Sequence, residues 1–424
     1  MSDRPTFVFF PEGAYGPTNN CVGIGQVLRA RGARVVFVVE ESFAGTLEAQ
    51  GFQEALMRLK PPPVEPEVPG QFWKDFVRET APEFRKPTID QLEGFVLAVW
   101  QELVDGARYV DERLAEIFAE VKPDVIVADN VVGFPAVLAS GIPWVRIVSC
   151  NPLELKDPAL PPTFSGYPSG DPSGWEEFRT RYRELHDPLQ QEFSEFCVKR
   201  GVPPLPDGEF IHESPFLNLY LYPADTDYER SRRLGAAWQR LGSCVRRPDQ
   251  VPGHVQGPGR AVLYLSLGSL GSADVALMQK LIDTLGETDY SVVVSMGPQH
   301  EELRLAPNMS GKEFLPQPAI LPQVDLVITH GGNNTVTESL HFGKPMVVLP
   351  LFWDQPDNAQ RMHELGLGRR LDTYAHEHDE LIGAIESLLG DPLLPARLNG
   401  ISRRLQDEPG TVRAADLIEK LVGA

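Results

Sequence analysis

Apolar residues recur along the chain in short runs rich in β-branched and aromatic side chains, and stretches of helical period separate these runs. The pattern predicts repeated βα units with parallel strands buried on both faces. In the first half the runs are 6–10, 35–39, 124–129, 144–148 and 217–221, the last read as the final strand of that half. In the second half they are 261–265, 291–295, 324–329 and 346–350. Helical patterns cover residues 22–31, 88–103, 175–199, 277–285, 379–389 and 411–422. Thr88 and Gln91 have the spacing of a capping box, followed by Ile89, Leu92, Phe95, Val96, Val99, Trp100 and Leu103 on one helical face. That stripe fits plain core, or the wall of a ligand pocket together with Phe72, Trp73 and Phe76. The charged helix 175–199 reads as a cover for a cleft.

A chain of 424 residues exceeds what a single core usually serves. Its proline- and glycine-bounded segment 242–259 reads as a linker between an N-terminal domain (1–241) and a C-terminal domain (260–424). The final helix is expected to pack back on the first domain, and residues 60–69 read as irregular. The fold class is α/β, with two Rossmann-like domains whose parallel sheets face across a cleft. Ligands of such sheets lie at the carboxyl ends of the strands, so the turn-rich loop 11–20 faces the cleft.

Charge narrows the partners. Asp and Glu number 59 against 39 Lys and Arg, a formal net charge of −20 that argues against nucleic acid or an anionic membrane surface. No apolar stretch approaches the ~20 residues of a membrane span. Cys21, Cys150, Cys197 and Cys244 lack metal-ligand spacing and fit reduced thiols in a cytoplasmic protein. Met1 to Pro5 lead straight into the first strand, which is not a signal-peptide pattern.

The chemistry concentrates in His330-Gly331-Gly332-Asn333-Asn334-Thr335-Val336-Thr337-Glu338. A strand ends there, a glycine turn follows and a helix starts. Its end near His341 or Phe342 is marked by Gly343 and Pro345. Unpaired N–H groups and the positive end of the helix dipole converge above the sheet, which suits a phosphate or diphosphate, and His330 can donate to the same anion. Glu338 has two readings: it caps its own helix with Thr335, or it accepts ribose hydroxyls. Asp129 stands at the carboxyl edge of its strand, where it either caps the next turn or acts chemically.

With Phe314-Leu315-Pro316-Gln317 before this junction and the run from Pro350 to Ala359 after it, the sequence resembles the nucleotide-sugar signature of the UDP-glycosyltransferase family. The match is dense over residues 261–371, and the N-terminal half agrees mainly in layout. The resemblance implies the GT-B fold and an inverting, metal-independent hexosyltransferase of bacterial natural-product type. It implies a UDP-sugar donor, most simply UDP-glucose, a small and largely apolar, aromatic or polyketide-like acceptor, no cofactor, and a monomer or homodimer. It places Phe314 and Gln317 on the uracil. Ser269, His330, Asn334 and Thr335 fall on the diphosphate, with Gly332 and Asn333 at the helix start. Glu338 falls on the ribose, and Asp354 and Gln355 on the sugar. The family's first loop usually carries a Gly-His pair, and its histidine takes the acceptor proton. Here Gly16 and Pro17 occupy those positions, and proline takes no proton. Asp129 matches the family's aspartate. Asp129 as base, Glu12 as a replacement, or binding without efficient transfer each follow, and C-glycosyl transfer, a dTDP-sugar donor or an epimerase remain alternatives. Asp225-Thr226-Asp227 imitates the metal-binding triplet of the other glycosyltransferase fold but reads as a loop. His376-Glu377-His378-Asp379 reads as a solvated helix start, so no metal is expected.

Overall fold

The computed structural model describes residues 4–62, 71–248 and 259–423. Seven strands build the first sheet: β1 (Thr6–Pro11), β2 (Arg34–Glu40), β3 (Gln53–Met57), β4 (Val125–Asp129), β5 (Trp144–Val148), β6 (Leu217–Tyr220) and β7 (Trp238–Arg240). Six build the second: β8 (Val262–Ser266), β9 (Ser291–Ser295), β10 (Met309–Lys312), β11 (Leu326–Thr329), β12 (Met346–Val348) and β13 (Gly368–Arg370). The helices between the strands of the first sheet are α1 (Tyr15–Ala30), α2 (Gln71–Phe84), α3 (Thr88–Gln91), α4 (Leu97–Val121), α5 (Pro135–Ala139) and α6 (Trp175–Lys199). Those of the second are α7 (Gly268–Gly271), α8 (Val275–Gly286), α9 (Gln317–Ile320), α10 (Asn333–His341), α11 (Gln355–Glu364), α12 (His378–Leu389), α13 (Leu394–Asp407) and α14 (Gly410–Glu419).

Both sheets are wholly parallel, ordered β3-β2-β1-β4-β5-β6-β7 and β10-β9-β8-β11-β12-β13. In each, strand order reverses once at the centre, between β1 and β4 and between β8 and β11. That switch is where a doubly wound sheet opens a crevice at its carboxyl ends. The register sets Pro11 beside Asp129 in one sheet and Ser266 beside Thr329 in the other.

Strand alternation explains the layers. Phe7 and Phe9 face a core shared with Ile24 and Leu28 of α1, while Val8 and Phe10 face the core under α4 and α6. Ala414, Ala415 and Ile418 of α14 complete the first of these cores, so the chain's last helix covers the first sheet. Arg31, the C-cap of α1, pins it through Asp416 and Glu419 at 2.8 and 2.6 Å.

Several expectations change. Helix α1 begins at Tyr15 with Pro17 in its first turn, a position where a missing N–H costs nothing, so the loop after β1 is only Glu12 to Ala14. No capping box forms at Thr88: its hydroxyl donates to Ser165 O at 2.7 Å and Gln91 Nε2 donates to Lys86 O at 3.0 Å. A π-helical turn, Leu92–Val96, joins α3 to α4. Helix α6 lies along α4, with Phe178 and Phe193 in the α4 core and the Tyr182 ring 6.4 Å from Phe164. Strands β3, β7, β10 and β13 and helices α2, α11 and α13 are additional elements, so β6 is not the last strand of its sheet. The segment Ser243 to Arg246 is partly buried rather than a free linker, and Cys244 lies in the first-sheet core. Residues 249–258 and most of 60–69 lie outside the described residues, as do the side chains of Phe72 and Trp73. All four cysteines are free. Among the described residues no helix is long and apolar enough to cross a membrane, and no cluster of three His, Cys, Asp or Glu is placed to hold a metal.

Candidate active site

The two switch points face each other. An added Cβ at Gly16, in the first turn of α1, would lie 3.9 Å from Asn334 Cβ at the start of α10. Asn333 Nδ2 reaches across to Ser149 O at 2.9 Å and Leu221 O at 3.0 Å. The same Ser149 donates from Oγ to Asp129 Oδ1 at 2.7 Å. One residue after β5 thus touches both the carboxylate of the first sheet and the leading residue of the helix on the second.

On the first sheet, Glu12 N–H donates to Asp129 O at 2.8 Å, locking the loop after β1 to the end of β4. Asp129 is 2% exposed, and its Oδ2 has no protein hydrogen-bond partner. Burial pushes its carboxyl well above the ordinary range, the Ser149 hydroxyl pulls it back, and the charges of Glu12 and Glu154 push it further up. Glu12 is half-buried, and burial followed by the charge of Glu154 raises it to about 7. Glu154 is held by Arg146 at 3.0 Å in a buried pair. Glu154 raises both Glu12 and Asp129 through its charge, and Glu12 raises Asp129 in the same way. Two acids of raised pKa at a switch point are suited to general-base work near neutrality.

On the second sheet, the turns that follow β8 and β11 are shaped by glycine. Gly268 has φ +68°, and a Cβ there would come within 2.9 Å of the His330 ring. Gly331 has φ +88°, and its Cβ would meet Val348 Cγ1 at 2.6 Å. The imidazole therefore packs against bare backbone beside α7, which carries Ser269. Burial lowers His330 to about 4 against the pull of the Ser266 backbone, so the ring is neutral near pH 7 and has one N–H to give. Gly332 is the N-cap of α10 and has no side chain to satisfy the helix's free N–H groups.

Glu338 does not form the capping box. It accepts from Gln317 Nε2 at 2.6 Å and from Arg246 Nη1 at 3.1 Å, while Asn334 Nδ2 lies 3.4 Å away. Gln317 also reaches Thr335 Oγ1 at 3.3 Å. Phe314 stands at the mouth, 48% exposed, its ring 6.0 Å from that of Tyr15 across the cleft. Gln317, Asn334, Thr335 and Glu338 are thus brought together, with Phe314 at their rim.

Asp354, Gln355 and Asn333 serve the seam between the domains or the loop that forms it. Asp354 Oδ2 accepts from Asn151 N–H at 2.8 Å and Asn358 Nδ2 at 3.3 Å. Burial raises its carboxyl to about 7 against the pull of the Asn151 N–H. Gln355 Oε1 accepts from Leu351 and Phe352 N–H at 3.0 and 3.3 Å, closing its own loop. Asp357 accepts from Phe164 N–H at 2.6 Å and Gly166 N–H at 2.7 Å. Phe352 lies 4.8 Å from Phe84, and Trp353, with φ +57°, packs 4.4 Å from Phe164 and 5.3 Å from Trp100. The aromatic stripe is core on one side and meets this loop on the other. Asn151, Ser149, Glu154, Arg246 and Asn358 escaped the sequence reading, because their roles depend on partners far away in the chain.

The acidic triplet is also structural. Asp225 pairs with Arg404 at 2.6 Å and Asp227 with Arg230 and Arg240 at 3.2 Å each. Glu377 forms a capping box with Glu380, and His376 Nδ1 contacts Asp372 O at 2.7 Å.

Residues 247–415 match the family described as UDP-glucoronosyl and UDP-glucosyl transferase. The chain is 28% identical over 324 residues to the zeaxanthin glucosyltransferase of Pseudescherichia vulneris, covering 73% of this chain and 77% of that one. It is 26% identical to the oleandomycin glycosyltransferase of Streptomyces antibioticus over 97% of this chain and 89% of the relative. Among solved structures, the glycotransferase of kitacinnamycin shares the fold with a TM-score of 0.72 at 23% identity, over 99% of both chains.

Proposed function

We propose that this chain, which belongs to the UDP-glycosyltransferase family and is a glycosyltransferase of GT-B fold, moves a hexose from a UDP-sugar to a hydroxyl of a small apolar acceptor with inversion. The observation that carries the reading is the Ser149 bridge, which holds Asp129 and the start of α10 against each other across the cleft. A hydroxyl meeting the free Oδ2 of Asp129 gives up its proton to the Asp129 and Glu12 pair as its oxygen attacks the anomeric carbon. The bond from that carbon to the diphosphate oxygen breaks, and UDP leaves toward the N–H groups of α10, Ser269 and neutral His330. Glu338 and Gln317 bind ribose and uracil edge, Phe314 flanks the base, and Asp354 with Gln355 lies on the sugar side. Carboxyl bases whose pKa burial raises suit a phenol better than an alkyl alcohol, so the acceptor is aromatic or polyketide-like. The enzyme works in the cytoplasm. UDP-glucose is the expected donor.

The test is incubation with UDP-glucose and a panel of phenols, alcohols and amines, followed by mass spectrometry. Acceptor plus one hexose, strongest for phenols, is expected. Tight UDP binding with no new mass from any acceptor overturns the transferase reading in favour of a nucleotide-sugar-binding protein. Product from dTDP-glucose alone overturns the choice of base.

A further inference from the structure

Away from the cleft, at the β6–β7 edge of the first sheet, lies a cavity of about 330 Å³. Its wall carries Arg230, Arg232, Arg233 and Arg240, and the only carboxylate lining it is Asp227. In a molecule with a formal net charge of −20, this is a local inversion of sign. Asp227 is already engaged: Oδ1 takes Arg230 Nη1, and Oδ2 takes Arg240 Nη1 and the Tyr220 hydroxyl, at 3.2, 3.2 and 2.8 Å. It thus offsets one of four positive charges. The guanidiniums of Arg232 and Arg233 are exposed and have no partner among the described residues, while their main chain is held by Asp157, which accepts from Ser231 N–H at 2.8 Å and Arg232 N–H at 3.3 Å.

Two residues of the same wall each carry a buried donor. The side chain of Arg230 is 8% exposed, and its Nε bonds to no protein atom. Trp238 is 7% exposed, and its indole Nε1–H is likewise unpartnered. Buried N–H groups are normally satisfied, and each one left over costs stability unless something outside the fold accepts from it. Both orphans are donors, every free charge is a guanidinium, and the planar fork of Arg matches the oxygens of phosphate and carboxylate. The volume falls at the lower end of small-molecule sites.

We propose that this cavity is a second ligand site, distinct from the donor cleft, that binds a small oxyanion with two or more negative charges. Arg232 and Arg233 meet it at the rim, and Arg230 Nε with Trp238 Nε1 holds it at the wall. Helix α11 of the second domain reaches the cavity wall. Arg361 of α11 stacks 4.5 Å from the Tyr228 ring, which lines the cavity, and donates to Thr226 O and Asp227 O at 2.7 and 2.6 Å.

The probe is inorganic pyrophosphate, titrated calorimetrically into protein saturated with UDP so that the diphosphate site is blocked. One saturable site is expected, with affinity falling as salt rises. R232A/R233A, which removes only exposed and unpaired side chains, should weaken it by roughly tenfold or more and leave UDP affinity unchanged. W238F should weaken it by a smaller factor. Citrate serves as a second probe: competition with pyrophosphate opens the site to carboxylates, and failure to compete confines it to phosphates. Absence of saturable binding by either anion in the UDP complex overturns the proposal, as does pyrophosphate binding that R232A/R233A does not alter.

Discussion

The two halves of the molecule share one topology and carry opposite chemistry at the same place in it. Each sheet reverses strand order once, and each reversal opens toward the other domain. At the first, the strand ends supply Glu12 and Asp129, carboxyls whose pKa burial raises. At the second, they supply glycine turns, a neutral imidazole and the bare start of α10. In the proposed reaction one end takes up the proton and the other receives the departing diphosphate. Strand order therefore fixes where chemistry happens, and a handful of side chains at the strand ends decides which chemistry.

The most direct way to break this contrast is D129N, which keeps the Ser149 contact but removes the base. Transfer should fall by roughly 10²–10⁴-fold, with UDP affinity measured by calorimetry unchanged. Turnover near that of the unmodified protein would remove the acid half of the comparison. On the other side, E338Q should weaken UDP binding by about tenfold to a hundredfold, since hydrogen bonds to a charged acceptor are worth about 1.5–3 kcal/mol. Unchanged binding would show that Arg246 and Gln317 keep Glu338 from the ribose.

The turns themselves give a subtler contrast. G331A must place a Cβ 2.6 Å from Val348 at φ +88°, and thermal unfolding should show a loss of about 1–3 kcal/mol. G13A, in the loop after β1, meets only the flexible end of Glu40 at 2.6 Å and should cost less than ~1 kcal/mol. Equal losses would erase the distinction between a turn shaped around an anion and one that is not. The smallest expected effect is in pH dependence. Glu12 has its proton below about 7 and is ionised above it, so kcat/KM for a phenol should rise as pH passes through that value. E12Q should flatten the rise, and an unaltered profile would confine proton transfer to Asp129.

The strands that build both switch points were legible because each is a compact apolar run, and the helix after β11 because Gly343 and Pro345 end it. Edge elements were not. Met309–Lys312 alternates weakly and is half-exposed, Trp238–Arg240 has three residues, and Leu394–Asp407 opens with a proline and contains Gly400. His330, Thr335 and Glu338 cluster in sequence, so local spacing brings them together. Asn151 and Asp354 are 203 positions apart, and Phe164 and Asp357 are 193 apart. Only domain docking pairs them, and no local pattern announces it. Helix α1 was placed too late for a related reason: Gly16 and Pro17 read as turn residues, although the first turn of a helix accepts both.

The seam made by Asp354, Asp357, Phe352 and Trp353 bears on how such enzymes can be recombined. These residues belong in sequence to the C-terminal half, yet the groups that satisfy them, Asn151 N–H, Phe164 N–H, Gly166 N–H and the rings of Phe84, Phe95, Trp100 and Phe164, belong to the N-terminal half. A chimera cut at the linker would carry the lock in one parent and the key in the other. Exchanging donor preference between relatives therefore calls for a graft that stops before Phe352 or one that brings the 151–166 segment along.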